Sequence, residues 1–160
     1  MNGAIVDMAG RRLDPAEAVQ PHMTRITSDA QVQIYQAVIG DNMSRVTHVL
    51  LQADRYLKDN RIPPRGYSAT HPNASMTAIV GTTGDTDFGM NGSDQTTYAV
   101  RVPASGALRV EVELLYKSVQ PSTYDVLSVV NTPAARRFVS MGRMRPPVPR
   151  RVAMTMQAVP

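Results

Sequence analysis

The oxygen-bearing side chains of one glycine-rich loop are the first candidates for chemistry in this sequence. Between Gly84 and Asp94 the chain carries three aspartates and an asparagine, with glycines among them. Calcium binds about six to eight hard oxygen ligands, and alternate aspartates on a flexible loop can supply several of them. The spacing differs from an EF-hand, because the glycine is misplaced and the terminal glutamate is missing. The candidate calcium ligands are Asp85, Asp87, Asn91 and Asp94, and a plain polar turn is the alternative interpretation.

The three histidines do not form a recognisable metal-binding pattern. His22, His48 and His71 are dispersed along the chain, without the short spacing of paired zinc ligands. The chain has no cysteine, which excludes disulfides, thiolate metal sites, a cysteine nucleophile and covalent attachment of c-type haem. We therefore predict no zinc site and no cofactor in this chain apart from the calcium candidate.

Four methionines lie in the last quarter of the sequence. Thioethers are suitable ligands for copper(I), so Met141, Met144, Met154 and Met156 form a copper candidate. Met154 and Met156, however, fall on one row of an alternating strand, and methionine fills gaps in a core with few aromatic residues. The spacing favours core packing over a copper site.

No serine or acidic pair has the setting of a catalytic group. Ser93 and Ser105 lie beside glycines but lack the strand, Gly-x-Ser-x-Gly turn and helix of a nucleophile elbow. Glu111 and Glu113 alternate with apolar residues, which predicts a solvent-facing row rather than an acid and a base in a cleft. The sequence also has no phosphate-binding glycine loop. We predict no catalytic residue and a protein that is not an enzyme.

Positive charge is concentrated near the C-terminal end. The net charge is +4 and the pI is near 9.8, and no acidic residue follows Asp125. A nucleic-acid-binding surface would add stacking aromatic residues, whereas Phe138 is the single aromatic residue in this part. We predict a solvated or partner-facing basic edge, no nucleic-acid partner and, because no window is long and apolar enough, no membrane span. The basic edge comprises Arg136, Arg137, Arg143, Arg145, Arg150 and Arg151.

Short elements separated by turns must position these groups. Twelve prolines and ten glycines in 160 residues favour short strands over long helices. One helix is predicted to follow Thr132, a good cap, with proline at its first position and an end by Gly142. Residues 46–56 fit a strand, and a helix is an open alternative because their apolar residues also have helical spacing. The predicted strands cover residues 3–7, 32–39, 46–56, 76–80, 96–102, 108–116 and 151–159, after an irregular segment within 1–30.

Residues 96–102 and 108–116 give the clearest strand signal. The second segment alternates apolar and charged residues, which predicts a half-buried antiparallel strand, and the connector Pro103–Gly106 is short enough for a hairpin. These patterns predict a single mainly β domain over residues 1–160, an antiparallel β-sandwich that is jelly-roll-like with one short C-terminal helix. Because sandwich domains often host ligand sites on their loops, a carbohydrate- or calcium-binding module is an alternative function.

A charged, proline-rich segment follows the apolar run that ends at Leu57. Its charged residues, with Arg55, are suited to a local ion-pair cluster that rigidifies the turn at Pro63 and Pro64, because arginine makes fixed, planar contacts. Two roles are open for this segment, a structural corner and a docking surface. The residues assigned to the docking surface are Lys58, Asp59, Asn60, Arg61, Pro63, Pro64 and Arg65.

The same segment belongs to a longer ordered pattern. Its segments are Asn2–Val6, Ile26–Tyr35, Val46–Leu51, Tyr56–Tyr67, Asp85–Phe88, Gly92–Asp94, Tyr98, Val110–Tyr116 and Arg137–Phe138. In this order, the segments resemble the C-terminal, non-haem domain of exported bacterial multihaem c-type cytochromes. The resemblance covers nearly the whole chain, and the ordered set is more specific than any single segment.

The resemblance implies a setting and a partner. It implies a periplasmic or cell-surface location, and a haem-bearing domain or another periplasmic electron-transfer protein as partner. Because this chain has no haem motif, haem is expected only in a parent chain, from which these residues are an excised domain or to which they are a haem-free relative. The expected function is a non-catalytic accessory domain that docks against the haem-bearing part. An axial ligand from His22 or His71 to a neighbouring haem is an open alternative.

Overall fold

Short strand pairs and two helices make up the fold. A computed structural model describes residues 5–14, 19–77, 79–103 and 105–159, and of Met90 the backbone alone. The described residues divide into an N-terminal unit, up to Val100, and a C-terminal unit, from Arg101 onward. Each unit has its own hydrogen-bonded strands.

Two small sheets organise the N-terminal unit. Strand β1 (Arg25–Ile26) pairs in parallel with β4 (Thr97–Tyr98), and β2 (Ala37–Gly40) pairs antiparallel with β3 (Arg55–Asp59). The remaining described residues form loops with three short 3₁₀ turns. These turns are Leu50–Gln52, Ala74–Thr77 and Met90–Gly92.

The interior of the N-terminal unit is polar as well as apolar. Its apolar cluster is Val6, Met23 and Ile26, and several polar side chains are equally buried. Gln20 Oε1 accepts a hydrogen bond from the Val6 backbone N–H at 2.8 Å, and Gln31 Oε1 accepts from the N–H groups of residues 27 and 28. These side chains therefore satisfy backbone donors that a sheet would otherwise satisfy.

One long ribbon and a helical pair form the C-terminal unit. Strand β5 (Leu108–Tyr116) pairs antiparallel with β6 (Arg150–Val159), from Leu108 opposite Val159 to Tyr116 opposite Arg150. Between them lie helix α1 (Pro121–Ser128) and helix α2 (Pro133–Met144). The two long strands confirm the strands predicted at residues 108–116 and 151–159. Both faces of the ribbon are exposed, so the predicted burial of one row of β5 is wrong.

The helices begin where proline and a cap residue favour them. The Thr132 side chain accepts a hydrogen bond from the Ala135 N–H at 3.2 Å, and Pro133 is the first residue of α2. This confirms the predicted helix, which extends to Met144 rather than ending by Gly142. Helix α1 was not predicted, although its first residue is also a proline.

The predicted fold class is wrong. The described strands form three separate two-stranded sheets, so no β-sandwich or jelly roll exists among them, and two helices rather than one make the chain mixed in class. The physical reason is that strands β1 to β4 are only two to five residues long, too short to form large sheets. Prolines, glycines and side-chain hydrogen bonds interrupt the backbone ladders of the predicted strands. A carbohydrate-binding sandwich therefore loses its structural basis.

Strand pairing differs from the prediction as well. Residues 96–102 do not form a hairpin with β5: Thr97–Tyr98 pairs with β1, and β5 pairs with β6. The β6 segment offers a longer alternating partner, so its ladder satisfies more backbone groups than a hairpin would. The predicted strand at 46–56 is replaced by a bridge, a 3₁₀ turn and the start of β3, and that at 76–80 by a 3₁₀ turn and a bridge. The predicted strands at 3–7 and 76–80 and the predicted connector at 103–106 lie partly outside the described residues.

Candidate functional site

A buried histidine forms the centre of the most chemically distinctive part of the chain. His22 Nε2 lies 2.7 Å from Asp85 Oδ2 and 3.9 Å from Asp94 Oδ2. The side chains of His22, Asp85 and Asp94 are 2%, 1% and 0% exposed. Together with Tyr35 and Asp87, these residues form what we call the His22 cluster.

Hydrogen bonds fix the tautomer of His22. Its Nδ1 atom faces Gln33 Nε2 at 2.7 Å and Asn60 Nδ2 at 2.9 Å. Neither amide can be reversed, because Gln33 Oε1 accepts the backbone N–H of Met23 and Asn60 Oδ1 accepts that of Gln36. Nδ1 is therefore an acceptor, and the neutral ring donates its Nε2–H to Asp85.

The second buried carboxylate is held by a tyrosine. The Tyr35 hydroxyl donates a hydrogen bond of 2.5 Å to Asp94 Oδ2. Burial, and then this bond to a carboxylate, raise the pKa of Tyr35 to about 12, so its hydroxyl stays a donor at neutral pH. The other oxygen, Asp94 Oδ1, is buried without a hydrogen-bond partner among the described residues, and so is the hydroxyl of Thr96.

The carboxyl groups of Asp85 and Asp87 contact each other within the loop. Burial opposes ionisation of Asp85, but hydrogen bonds from His22 and Asp87 outweigh it and lower the pKa of Asp85. The same carboxyl–carboxyl contact raises the pKa of Asp87, with burial and the charges of Asp85 and Asp94 adding to the effect. Asp85 Oδ1 also accepts the backbone N–H groups of Asp87 and Phe88, which orients it within the loop. The loop therefore concentrates negative charge around one point.

Part of the proline-rich segment packs against this loop. Gly89 and Gly92 have φ of 76° and 75°, a left-handed conformation that glycine adopts most easily. A side chain at Gly89 would come within 2.9 Å of Pro63 Cγ, and one at Gly92 within 2.9 Å of the Arg65 backbone nitrogen. The chain around Pro63 thus packs directly against the aspartate loop.

The residues predicted as a docking surface divide into a buried and an exposed group. Lys58, Asp59 and Asn60 are buried, and Lys58 Nζ and Asn60 Nδ2 both donate to the Ile34 carbonyl, at 3.0 Å and 2.9 Å. Burial lowers the pKa of Lys58 to about 8. Pro63 is half-buried, whereas Arg61, Pro64 and Arg65 are exposed.

One ion pair of the segment is present as predicted. Arg61 donates from Nε and Nη2 to the two oxygens of Asp59, at 2.8 Å and 2.6 Å. These hydrogen bonds lower the pKa of Asp59 and raise that of Arg61. Since the Arg61 side chain is mostly exposed, the pair orders the turn more than it stabilises the fold.

The other candidate groups from the sequence lie apart from the His22 cluster or at the surface. Asn91 is exposed with φ of 55°, and His48 and His71 are exposed. Met141, Met144, Met154 and Met156 are all exposed, so the prediction that they fill a core is wrong. Glu113 forms a 2.9 Å ion pair with Arg151 across the ribbon, which fits a solvent-facing row.

An open surface depression lies away from the cluster. Its volume is about 380 Å³, and polar residues of the turns around β2 and β3 line it. Asp41 already pairs with Arg45 and Asp54 with Arg55, so these acids are occupied by neighbours. We assign the depression no chemistry.

Sequence reasoning found the three aspartates of the His22 cluster but missed its centre. The loop composition pointed to Asp85 and Asp94, whereas His22 and Tyr35 lie 63 and 59 residues away from their carboxylate partners. No local pattern links positions so far apart.

Comparisons with known proteins add no assignment. No family model, curated protein or solved structure matches the sequence. The resemblance to the non-haem domain of multihaem cytochromes stays a prediction. Among the described residues, the helices are too short or too polar to cross a bilayer.

Proposed function

We propose that this chain is a non-catalytic interaction module of an exported, multihaem cytochrome-type electron-transfer protein. Its C-terminal unit docks on a haem-bearing domain, or on another periplasmic electron-transfer protein, in the periplasm or at the cell surface. The resemblance in sequence motivates the choice of partner. The observation that carries the proposal is the exposed apolar face of the β5–β6 ribbon.

The ribbon presents apolar side chains to solvent along its whole length. Val110, Val112 and Leu114 lie on one face of β5, and each is about half exposed. Across the ladder, Gln157, Thr155 and Ala153 of β6 lie on the same face. A row of exposed apolar side chains, as on β5, marks interaction sites more often than isolated apolar residues do. We call this surface the ribbon face.

The net charge of the C-terminal unit favours an acidic partner. Residues 101–160 carry nine basic and three acidic side chains, a formal net charge of +6, whereas the whole chain has +4. Net positive charge steers association with an acidic surface. Haem propionates and acidic residues around haem edges supply such a surface, which supports a haem-bearing partner.

The non-catalytic part of the proposal is supported by the state of the His22 cluster. Both ring nitrogens of His22 are occupied by hydrogen bonds inside the fold, and the ring is 2% exposed. A general base must reach a substrate proton by a direct contact or through one water. His22 is therefore suited to structural support rather than to proton transfer.

Hydrogen–deuterium exchange with a purified partner tests the proposal. The probes are the soluble multihaem c-type cytochromes encoded in the same genome, each mixed with this protein. We expect slower exchange at residues 108–116 and 150–159 in the mixture, with residues 25–26 and 37–40 unchanged as an internal control. Unchanged exchange throughout the ribbon with every cytochrome would contradict the docking role.

A further inference from the structure

Two carboxylates of the His22 cluster are buried without a balancing cation among the described residues. Asp85 and Asp94 have His22 as the one basic group within 4.0 Å in the described part of the chain. Because its Nδ1 faces two fixed donors, that ring is neutral. Asp85 accepts hydrogen bonds from His22 and from the N–H groups of Asp87 and Phe88, whereas Asp94 accepts one, from Tyr35, among the described residues. A buried carboxylate with so little compensation is costly, so Asp94 calls for a positively charged group beside it.

One atom of the His22 cluster indicates where the positively charged group binds. Asp94 Oδ1 is buried and lacks a hydrogen bond among the described residues, although the other oxygen of the same carboxylate is bound by Tyr35. Buried polar atoms are almost always satisfied, and an exception of this kind is explained by a water or an ion. One carboxylate oxygen each of Asp85 and Asp94 and one nitrogen of His22 lie within 4.8 Å of one another.

We propose that the carboxylates of Asp85 and Asp94 bind a hard divalent cation of the calcium type, with the carboxyl of Asp87, which contacts Asp85, beside them. In this arrangement His22 and Tyr35 are positioning residues that do not touch the ion. The assignment goes beyond the docking role, because the ion would hold the aspartate loop of the N-terminal unit in place.

The positioning residues act as an outer shell. His22 donates to Asp85 Oδ2 and Tyr35 donates to Asp94 Oδ2, so each donor fixes one oxygen of a ligating carboxylate. Carboxylate ligands in metal sites are usually held by such hydrogen bonds. Asn60 and Gln33 in turn fix the His22 ring, which links the proline-rich segment to the loop.

The donor atoms select the ion. If His22 were a ligand through Nε2, its Nδ1 would carry the proton and would need an acceptor, but it faces two amide donors. The remaining donors are carboxylate oxygens, which suit calcium rather than zinc or copper. Asp87 is half-buried, so water can reach this side and complete the coordination.

Terbium luminescence is the direct test. The chain has no Trp, and Tyr35 contacts a proposed ligand, so excitation of tyrosine should sensitise Tb³⁺ bound at the site. We expect saturable emission that excess Ca²⁺ displaces. Asp94→Asn should abolish it, and Tyr35→Phe should weaken Ca²⁺ affinity, read by thermal unfolding, about 10- to 100-fold as expected for an outer-shell partner.

A matched acidic residue serves as the control. Asp54→Asn removes an exposed carboxylate that pairs with Arg55, and it should leave emission unchanged. Emission that survives Asp94→Asn, or that disappears with Asp54→Asn, would overturn the assignment. Circular dichroism of each variant confirms that it is folded.

Thermal unfolding shows whether a divalent cation or a proton supplies the positive charge of the site. Calcium should raise the unfolding temperature of the wild-type protein by several degrees and leave the double variant Asp85→Asn/Asp94→Asn unchanged. No calcium response of folded wild-type protein would overturn the proposal, and would assign the missing positive charge to a proton. A larger shift with Zn²⁺ that requires His22 would overturn the oxygen-only ligand set.

Discussion

His22 Nε2 lies 2.7 Å from Asp85 Oδ2, although 63 residues separate the two along the chain. This contact joins the segment before β1 to the aspartate loop before β4, and the rings of Phe88 and His22 form a T-shaped contact with centroids 5.1 Å apart. Because β1 and β4 share only two residue pairs, this contact contributes strongly to holding the N-terminal unit together. The predictions below follow from this and related contacts.

Removal of the His22 ring should strongly destabilise the N-terminal unit. His22→Ala leaves Asp85 Oδ2 and the amides of Gln33 and Asn60 without their shared partner. Unpaired buried polar groups and the cavity together predict a loss of about 2–4 kcal/mol in the free energy of unfolding, measured by urea denaturation. The control is His71→Ala, at an exposed position, which should change stability by less than about 0.5 kcal/mol. Equal effects of the two substitutions would contradict the central role of His22.

Burial of Lys58 predicts a stability that rises with pH in the alkaline range. Its pKa falls from 10.5 to about 8 in the folded protein, so the unfolded chain binds the extra proton between these values. Relative to Lys58→Met, the free energy of unfolding of the wild type should therefore rise by about 2 kcal/mol between pH 8 and pH 10. The comparison cancels the contribution of Tyr35, which both proteins share. Parallel pH profiles would show that Lys58 is not desolvated.

Gly142 should not tolerate even a methyl group. A Cβ atom at this position would clash with Tyr124 Cε1, and that ring stacks on Phe138 with centroids 5.1 Å apart. Glycine to alanine inside an exposed helix normally stabilises by about 1 kcal/mol, but the clash between α1 and α2 should reverse the sign and cost about 1–3 kcal/mol.

Thermal unfolding of four variants tests this prediction. Gly142→Ala should lower the unfolding temperature, whereas Ser140→Ala, at an exposed position of the same helix, should leave it nearly unchanged. In the Tyr124→Ala background, Gly142→Ala should no longer destabilise, because the opposing ring is gone. A stabilising Gly142→Ala in the wild-type background would show that the two helices are not packed as described.

Local sequence signals predicted the elements that depend on local chemistry. The Thr132 cap and Pro133 placed α2, and alternation placed β5 and β6. Strand partners were not predictable, because alternation indicates a strand without naming its neighbour. The sandwich prediction failed for this reason, and because buried glutamines such as Gln31 satisfy backbone donors that an alternating pattern assigns to a ladder.

The site was predictable only in part, for the same physical reason. Gly84, Asp85 and Asp94 follow loop chemistry that can be recognised along the chain. His22 and Tyr35 reach the loop from more than 50 residues away, and single-sequence patterns carry no such information. The sequence also did not predict that Lys58 and Asn60 are buried, because charged and amide residues are usually exposed.

A binding titration of the ribbon face tests the proposed docking most directly. The protein is titrated by calorimetry with the multihaem c-type cytochromes of the same genome, at low and at physiological ionic strength. We predict saturable binding that salt weakens, and a loss of at least tenfold in affinity for Leu114→Glu, which adds negative charge to the ribbon face. The control Leu51→Glu, at a fully exposed leucine of the N-terminal unit, should bind like the wild type. Absence of binding to every cytochrome, or equal affinity of wild type and Leu114→Glu, would contradict the account.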